Sequence, residues 1–176
     1  MRHARGVDLD ELKRALGGIV LEAAYLERVL RTAFSALAGS KYAAVVDGRL
    51  TAAALIEDGQ RITKYHTGLT QTAKDAILAA LRACHEASRE RNRVIHDTWA
   101  TRPGSVTVTL PGGGTSHDVT VTVRTLAEVG RVAGQLAHAA DELTAAMSAA
   151  FGPGWARLED QLRRELGHDI NADLGR

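Results

Sequence analysis

The chain of 176 residues contains one cysteine, three prolines and only 4% aromatic residues, and its charges nearly cancel, with 22 Lys and Arg against 21 Asp and Glu. Each shortage excludes something. Cys84 alone cannot build an internal disulfide framework or a four-cysteine zinc site, which points to a reducing compartment. A net charge of +1 creates no strong overall field, so an anionic partner has to be held by a local cluster of basic groups. No stretch approaches the roughly 18 uninterrupted apolar residues of a membrane span, and the opening MRHARGVDLDELKR lacks the apolar segment of a signal peptide. A soluble, cytoplasmic protein with no membrane partner is expected. The length suits one domain over residues 1–176, with its core at about 8–151 and a C-terminal helix and tail at 152–176. With few aromatics the core must be built from Leu, Val, Ile and much Ala, which bury less area each at roughly 25 cal/mol per Å². A second copy of the chain would make up that deficit, so a homodimer is expected.

What is present is mostly helical periodicity. Asp8 and Glu11 have capping-box spacing, and Leu12, Leu16, Ile19, Ala23, Leu26, Leu30 and Phe34 recur at three to four residues, predicting one long amphipathic helix over 8–38. Gly17 and Gly18 each cost that helix about 1 kcal/mol relative to Ala, so a bend or a close backbone approach is expected there. After an Asp47-Gly48 turn, Thr51 caps a shorter helix carrying Ala54, Leu55, Ile62 and Tyr65. A third helix begins near Thr72 and Asp75, carries Ile77, Leu78, Leu81, Cys84 and Ala87, and runs to about Trp99. The period then changes to two. Val106, Val108 and Leu110, then Val119, Val121 and Val123, alternate with polar residues, which predicts a β-hairpin at about 105–124 with PGGGTSHD at its tip. A two-stranded ribbon is marginal alone, so its valine face needs the helices or a partner to cover it. Thr125 and Glu128 cap a last long helix with Val129, Val132, Leu136, Ala140, Leu143 and Met147 on its stripe, ending near Phe151. Trp155, Leu158, Leu162 and Leu166 suggest a short terminal helix. The expected fold is mainly α, a helical bundle with one inserted hairpin.

Functional side chains are densest in CHEASRERNRVIHDTW, residues 84–99. At about 100° per residue, His85, Ser88, Arg89, Asn92, His96 and Trp99 fall along one polar face, while Cys84, Ala87, Arg91, Val94 and Ile95 fall on the other. Periodicity alone also fits a solvated face on which Glu86 and Glu90 pair with nearby arginines.

The string Arg91-Asn92-Arg93-Val94-Ile95-His96 resembles the motif of HEPN-domain proteins, in which an arginine, a polar residue, a short spacer and a histidine stand late in a helical bundle. The resemblance in organisation spans residues 8–151, and the motif itself is six residues. It implies a metal-independent endoribonuclease that needs no cofactor and acts as a homodimer, with two motifs facing each other to form one composite site. In that scheme His96 is the proton acceptor for attack of the ribose 2′-hydroxyl on the adjacent phosphate, since an unperturbed imidazole titrates at about 6.5. Arg91 binds the scissile phosphate and stabilises transition-state charge, and Asn92, one turn before His96, orients the imidazole or holds a phosphate oxygen. Arg89, Arg93, Ser88 and Arg102 are auxiliary RNA contacts, and the expected products are a 2′,3′-cyclic phosphate and a 5′-hydroxyl. Arg91 and His96 stand about 140° apart on a regular helix, whereas Arg89 and His96 are nearly eclipsed, so Arg89 is a competing assignment for the phosphate-binding arginine. The toxin-like branch of the family implies an antitoxin or regulatory protein as partner. Members paired with nucleotidyltransferase antitoxins often carry a tyrosine two residues after the histidine; here that position is Thr98.

Two other readings fit the same residues. One is a HEPN-type module that binds RNA, nucleotide or protein without catalysis. The other is a helical adaptor whose hairpin offers a strand edge to a partner. A dedicated metal site is not expected: His66, His117, His138 and His168 have no second histidine at helical spacing, and the adjacent Cys84 and His85 cannot face one ion from a helix. The glycines after Pro111 lack the following lysine and helix N-terminus of a phosphate loop.

Overall fold

The computed structural model describes residues 9–40, 49–96, 98–102, 105–110, 120–124, 126–155 and 157; for residues 9, 96 and those of the strands it describes the backbone alone. The chain is mainly helical. In order it forms α1 (Leu9–Ala38), α2 (Ala52–Tyr65), α3 (Gln71–His96), β1 (Thr98–Arg102), β2 (Ser105–Leu110), β3 (Thr120–Arg124) and α4 (Leu126–Phe151). No helix among the described residues is long and apolar enough to cross a membrane. The Asp47-Gly48 turn, the hairpin tip, Thr125 and the leucines at 158, 162 and 166 lie outside the described residues.

Chain contacts divide the protein into two compact units, Met1–Arg28 with Arg82–Ala140, and Val29–Leu81 with Asp141–Arg176. The first unit has Leu12, Ile19 and Leu26 of α1 buried, together with Cys84, Ala87 and Val94 of α3 and Val129, Val132, Leu136, Ala139 and Ala140 of α4. Cys84 is a core residue: its buried thiol donates to the Ala139 carbonyl at 3.5 Å, which ties α3 to α4 within this unit. The sheet follows directly in sequence on the α3 segment of the same unit.

The second unit buries Val29, Leu30, Ala33, Phe34 and Leu37 of α1, Leu55 and Ile56 of α2, Ile77, Ala80 and Leu81 of α3, and Leu143, Met147 and Trp155. Each fully buried Leu or Ile contributes about 1.5–3 kcal/mol against exposure. Positive-φ glycines close two of its helices. Gly39, at φ 60°, donates to the Ser35 and Ala36 carbonyls after α1, and Gly152, at φ 57°, donates to the Ser148 carbonyl after α4.

Four expectations need correction. The core stripe of α2 is Leu55, Ile56, Gly59 and Thr63, not the line through Ile62 and Tyr65, and Tyr65 is 81% exposed. The polar Thr63 hides in that stripe because its hydroxyl donates to the Gly59 carbonyl at 2.7 Å, and Gly59 leaves room for Leu81 of α3. Helix α3 is capped by Thr70, whose hydroxyl accepts from the Ala73 N–H at 3.2 Å, and so begins before Thr72. It also ends sooner than expected, at His96, because Thr98–Arg102, with Trp99 inside it, pairs antiparallel with β2. Residues 98–124 thus contain a three-stranded antiparallel sheet in the order β1-β2-β3 rather than a two-stranded hairpin, and a third strand supplies the pairing that a lone ribbon lacks. Its register sets Val106 opposite Arg124 and Val108 opposite Thr122, so the valine positions of β2 and β3 alternate instead of forming one common column.

Two substitutions in α2 should move stability in opposite directions. Gly59→Ala places a methyl at 3.5 and 3.8 Å from the Leu81 methyls, ordinary contact, and removes a helix-interior glycine, so it should stabilise by about 0.5–1 kcal/mol. Thr51→Ala removes the hydroxyl that accepts from the Ala54 N–H at 3.3 Å and should cost about 1 kcal/mol. Urea midpoints of the two variants and the parent read both effects.

Candidate functional site

The distal part of α3 carries the candidate residues, and its burial pattern sorts them. Cys84, Ala87 and Val94 are buried, and Arg91 follows Cys84 by seven residues and Ala87 by four, placing it in the same stripe. His85, Arg89, Asn92 and Arg93 are exposed and Ser88 is half-buried. A regular α-helix runs through to His96, so no distortion rotates the end of the motif.

The arginines differ in what they touch. Arg93 pairs with Glu90 at 3.0 Å, and Arg89 stands 4.0 Å from Glu86, which also lies 3.7 Å from His85. Both arginine pairs are exposed i,i+3 contacts of the kind worth about 0–1 kcal/mol. Arg91 is set apart. It is half-buried, its Nη1 donates to the Asn92 side-chain oxygen at 2.9 Å, and its Nε is buried without a hydrogen-bond partner. Adjacent residues on a helix do not face each other, so the contact forms by the long guanidinium stem reaching around from the core stripe to the exposed Asn92.

That arrangement has a chemical consequence. A buried N–H without an acceptor costs about 1–3 kcal/mol, and a guanidinium carries its charge at every accessible pH. The charge of Arg91 has no carboxylate partner among the described residues, and a planar or tetrahedral oxyanion able to accept two N–H bonds would satisfy it. Asn92 spends its oxygen on Arg91, which leaves its amide NH₂ to donate to the same anion.

The structure thus brings Arg91 and Asn92 together and places Arg89, Arg93 and Ser88 on the surrounding surface of the same helix. It does not bring Arg91 toward His96 along one chain: the regular helix keeps their positions about 140° apart and about 7.5 Å along the axis, with Asn92 between them. Arg89 and Asn92 lie on the side of His96. The side chains of His96, Arg102 and Trp99 lie outside the described residues.

No family model, curated protein or solved structure matches the chain. The site therefore stands on its own chemistry.

Outside α3, His66 makes local structural contacts. His66 accepts from the Gly68 N–H at 3.2 Å through Nδ1 and meets Phe151 edge-on at 6.2 Å, which joins the end of α2 to the end of α4. No group of three or more His, Cys, Asp and Glu among the described residues is placed to hold a metal ion. Helical spacing already set Arg91 on the face of Cys84, Ala87 and Val94; what the sequence did not show is that its Nε is buried without a hydrogen-bond partner and that its Nη1 reaches Asn92.

The anion account predicts two results from one variant. Arg91→Met keeps the stem and removes the unpaired N–H, so it should be at least as stable as the parent in thermal melts without added anion. Pyrophosphate should raise the parent's melting temperature and leave that of Arg91→Met in place, because only the parent binds it in the native state.

Proposed function

We propose that the protein is a HEPN-like, metal-independent endoribonuclease whose phosphate-binding group is Arg91. The observation that supports the reading is the state of that guanidinium: half-buried, braced by Asn92 at 2.9 Å, with a buried Nε–H and no carboxylate partner among the described residues. Arg89 and Arg93 share their charge with Glu86 and Glu90, which favours Arg91 over Arg89 for the scissile phosphate. The remaining exposed arginines and Ser88 then steer and grip the backbone of the RNA on either side.

In this mechanism the Arg91 guanidinium neutralises the phosphate and stabilises the charge that builds as the pentacoordinate transition state forms. His96 takes the proton of the 2′-hydroxyl as that oxygen bonds to phosphorus, and the P–O5′ bond breaks with the leaving oxygen taking a proton from water, which gives a 2′,3′-cyclic phosphate and a 5′-hydroxyl. The angular separation of Arg91 and His96 on one helix is met by composition of the site: in a homodimer the histidine of one copy works opposite the arginine of the other. An antitoxin or regulatory protein would act by blocking that cleft.

A second reading, an RNA- or nucleotide-binding module without catalysis, draws on the same guanidinium, because an anion site by itself binds and does not cut.

A labelled structured RNA incubated with protein in excess EDTA separates the two. Cleavage with cyclic-phosphate ends, falling by about 100-fold or more in His96→Ala and Arg91→Ala while Arg89→Ala retains most of it, supports the nuclease with Arg91 in the stated role. Intact RNA with all proteins at high concentration sinks catalysis, and retention of the RNA by the parent but not by Arg91→Ala then identifies the binding module.

A further inference from the structure

Tyr65, the last residue of α2, holds its ring in solvent at 81% exposure. A single exposed aromatic is ordinary on a protein surface, and its setting is what distinguishes this one. The backbone on either side is pinned. The His66 N–H donates to the Thr63 carbonyl at 3.4 Å, its Nδ1 accepts from the Gly68 N–H at 3.2 Å, and its ring meets Phe151 edge-on. Lys74, in the first turn of α3, donates through Nζ to the Lys64 carbonyl at 3.3 Å. A lysine in a first turn opposes the helix macrodipole, and here its ammonium reaches instead to the carbonyl end of α2. That bond uses one of its three N–H groups, so two remain at the peptide joining Lys64 to Tyr65. The charge here has one sign. Residues 59–74 contain Arg61, Lys64 and Lys74 and no acidic residue. The carboxylates flanking the stretch are engaged: Glu57 and Asp58 pair with Arg61 at 3.2 and 3.4 Å, and Asp75 accepts from the Gln71 amide at 2.9 Å. Lys64 is exposed and has no carboxylate partner among the described residues. All of these residues belong to the second unit, whereas Arg91 belongs to the first.

We propose that this end of α2 is a second contact for single-stranded RNA, in which a nucleobase stacks on Tyr65 and the ammonium groups of Lys64 and Lys74 hold the adjoining phosphates. A ligand suited to both features carries an exposed π-face and regularly placed negative charge, and an unpaired nucleic-acid strand has both. An apolar peptide would answer the ring but not the lysines, and a free phosphate would answer the lysines but not the ring. Every base has a π-face, so the contact tolerates sequence and adds grip on the strand rather than chemistry. The inference rests on the reading of the protein as one that binds RNA, and not on cleavage or on Arg91.

Binding of a labelled 2′-O-methyl oligouridylate, a strand that 2′-hydroxyl attack cannot cut, tests the contact on the full chain. Tyr65→Ala should weaken binding by about tenfold with helicity unchanged, since the ring is exposed, and Tyr65→Trp should bring it back. Lys64→Gln should reduce the slope of log affinity against log salt by about 0.7, whereas Tyr65→Ala should leave that slope in place. Inorganic polyphosphate, which has charge and no bases, should bind the parent and Tyr65→Ala alike. Parental affinity in Tyr65→Ala overturns the proposal, as does a Tyr65→Trp protein as weak as Tyr65→Ala, a loss of polyphosphate binding in Tyr65→Ala, or a parent that does not bind the strand. The two sites fail separately. Loss of binding in Arg91→Ala with no effect at Tyr65 sinks this contact and leaves the Arg91 site standing; the reverse result upholds this contact and sinks the Arg91 site.

Discussion

A guanidinium cannot lose its charge, and α3 places one in line with Cys84, Ala87 and Val94. The character of the candidate site follows from that placement. Had position 91 carried a leucine, the distal part of α3 would be an ordinary packed helix with three exposed arginine–glutamate and histidine–glutamate contacts on its surface. With arginine there, a charged N–H is taken from water without an acceptor, and the adjacent asparagine meets only part of its hydrogen-bonding capacity.

The apolar framework around it is narrow. Alanine and valine occupy much of the first unit's buried stripe, with Ala87, Ala139 and Ala140 beside Val94, Val129 and Val132. Small residues let backbones come close enough for the Cys84 thiol to reach the Ala139 carbonyl, and that contact ties α3 to α4 seven residues before Arg91. The second unit draws on larger side chains, Phe34, Leu55, Leu81, Leu143, Met147 and Trp155. It contains no candidate residue of the motif, all of which fall in the first unit.

Much of the helical plan was legible in the sequence. The three-to-four-residue recurrence of Leu12, Ile19, Leu26 and Leu30, and of Val129, Val132, Leu136, Ala140 and Leu143, marks residues that are buried in α1 and α4. The pattern misled where a polar residue met its own needs locally. Thr63 passes as surface until its bond to the Gly59 carbonyl is seen, and Tyr65 passes as core although it stands in solvent. It also misled at the end of α3, since the helical spacing of Asn92, His96 and Trp99 continues past the point where the backbone turns into a strand. Strand pairing is a non-local choice, made by β2 and invisible to a count of spacings along β1.

The sequence by itself determined the helical elements and the cluster of residues 84–96, because apolar periodicity and side-chain chemistry are local properties that survive without neighbours. Only the tertiary structure decided which arginine is drawn toward the core and which are paired with glutamates. Arg89, Arg91 and Arg93 alternate along one string and are chemically identical; they part company because packing turns Cys84, Ala87 and Val94 inward and carries Arg91 with them, while Glu86 and Glu90 remain outside to take up the other two. Burial and pairing are set by what surrounds a residue, and a chain read one position at a time does not contain its surroundings.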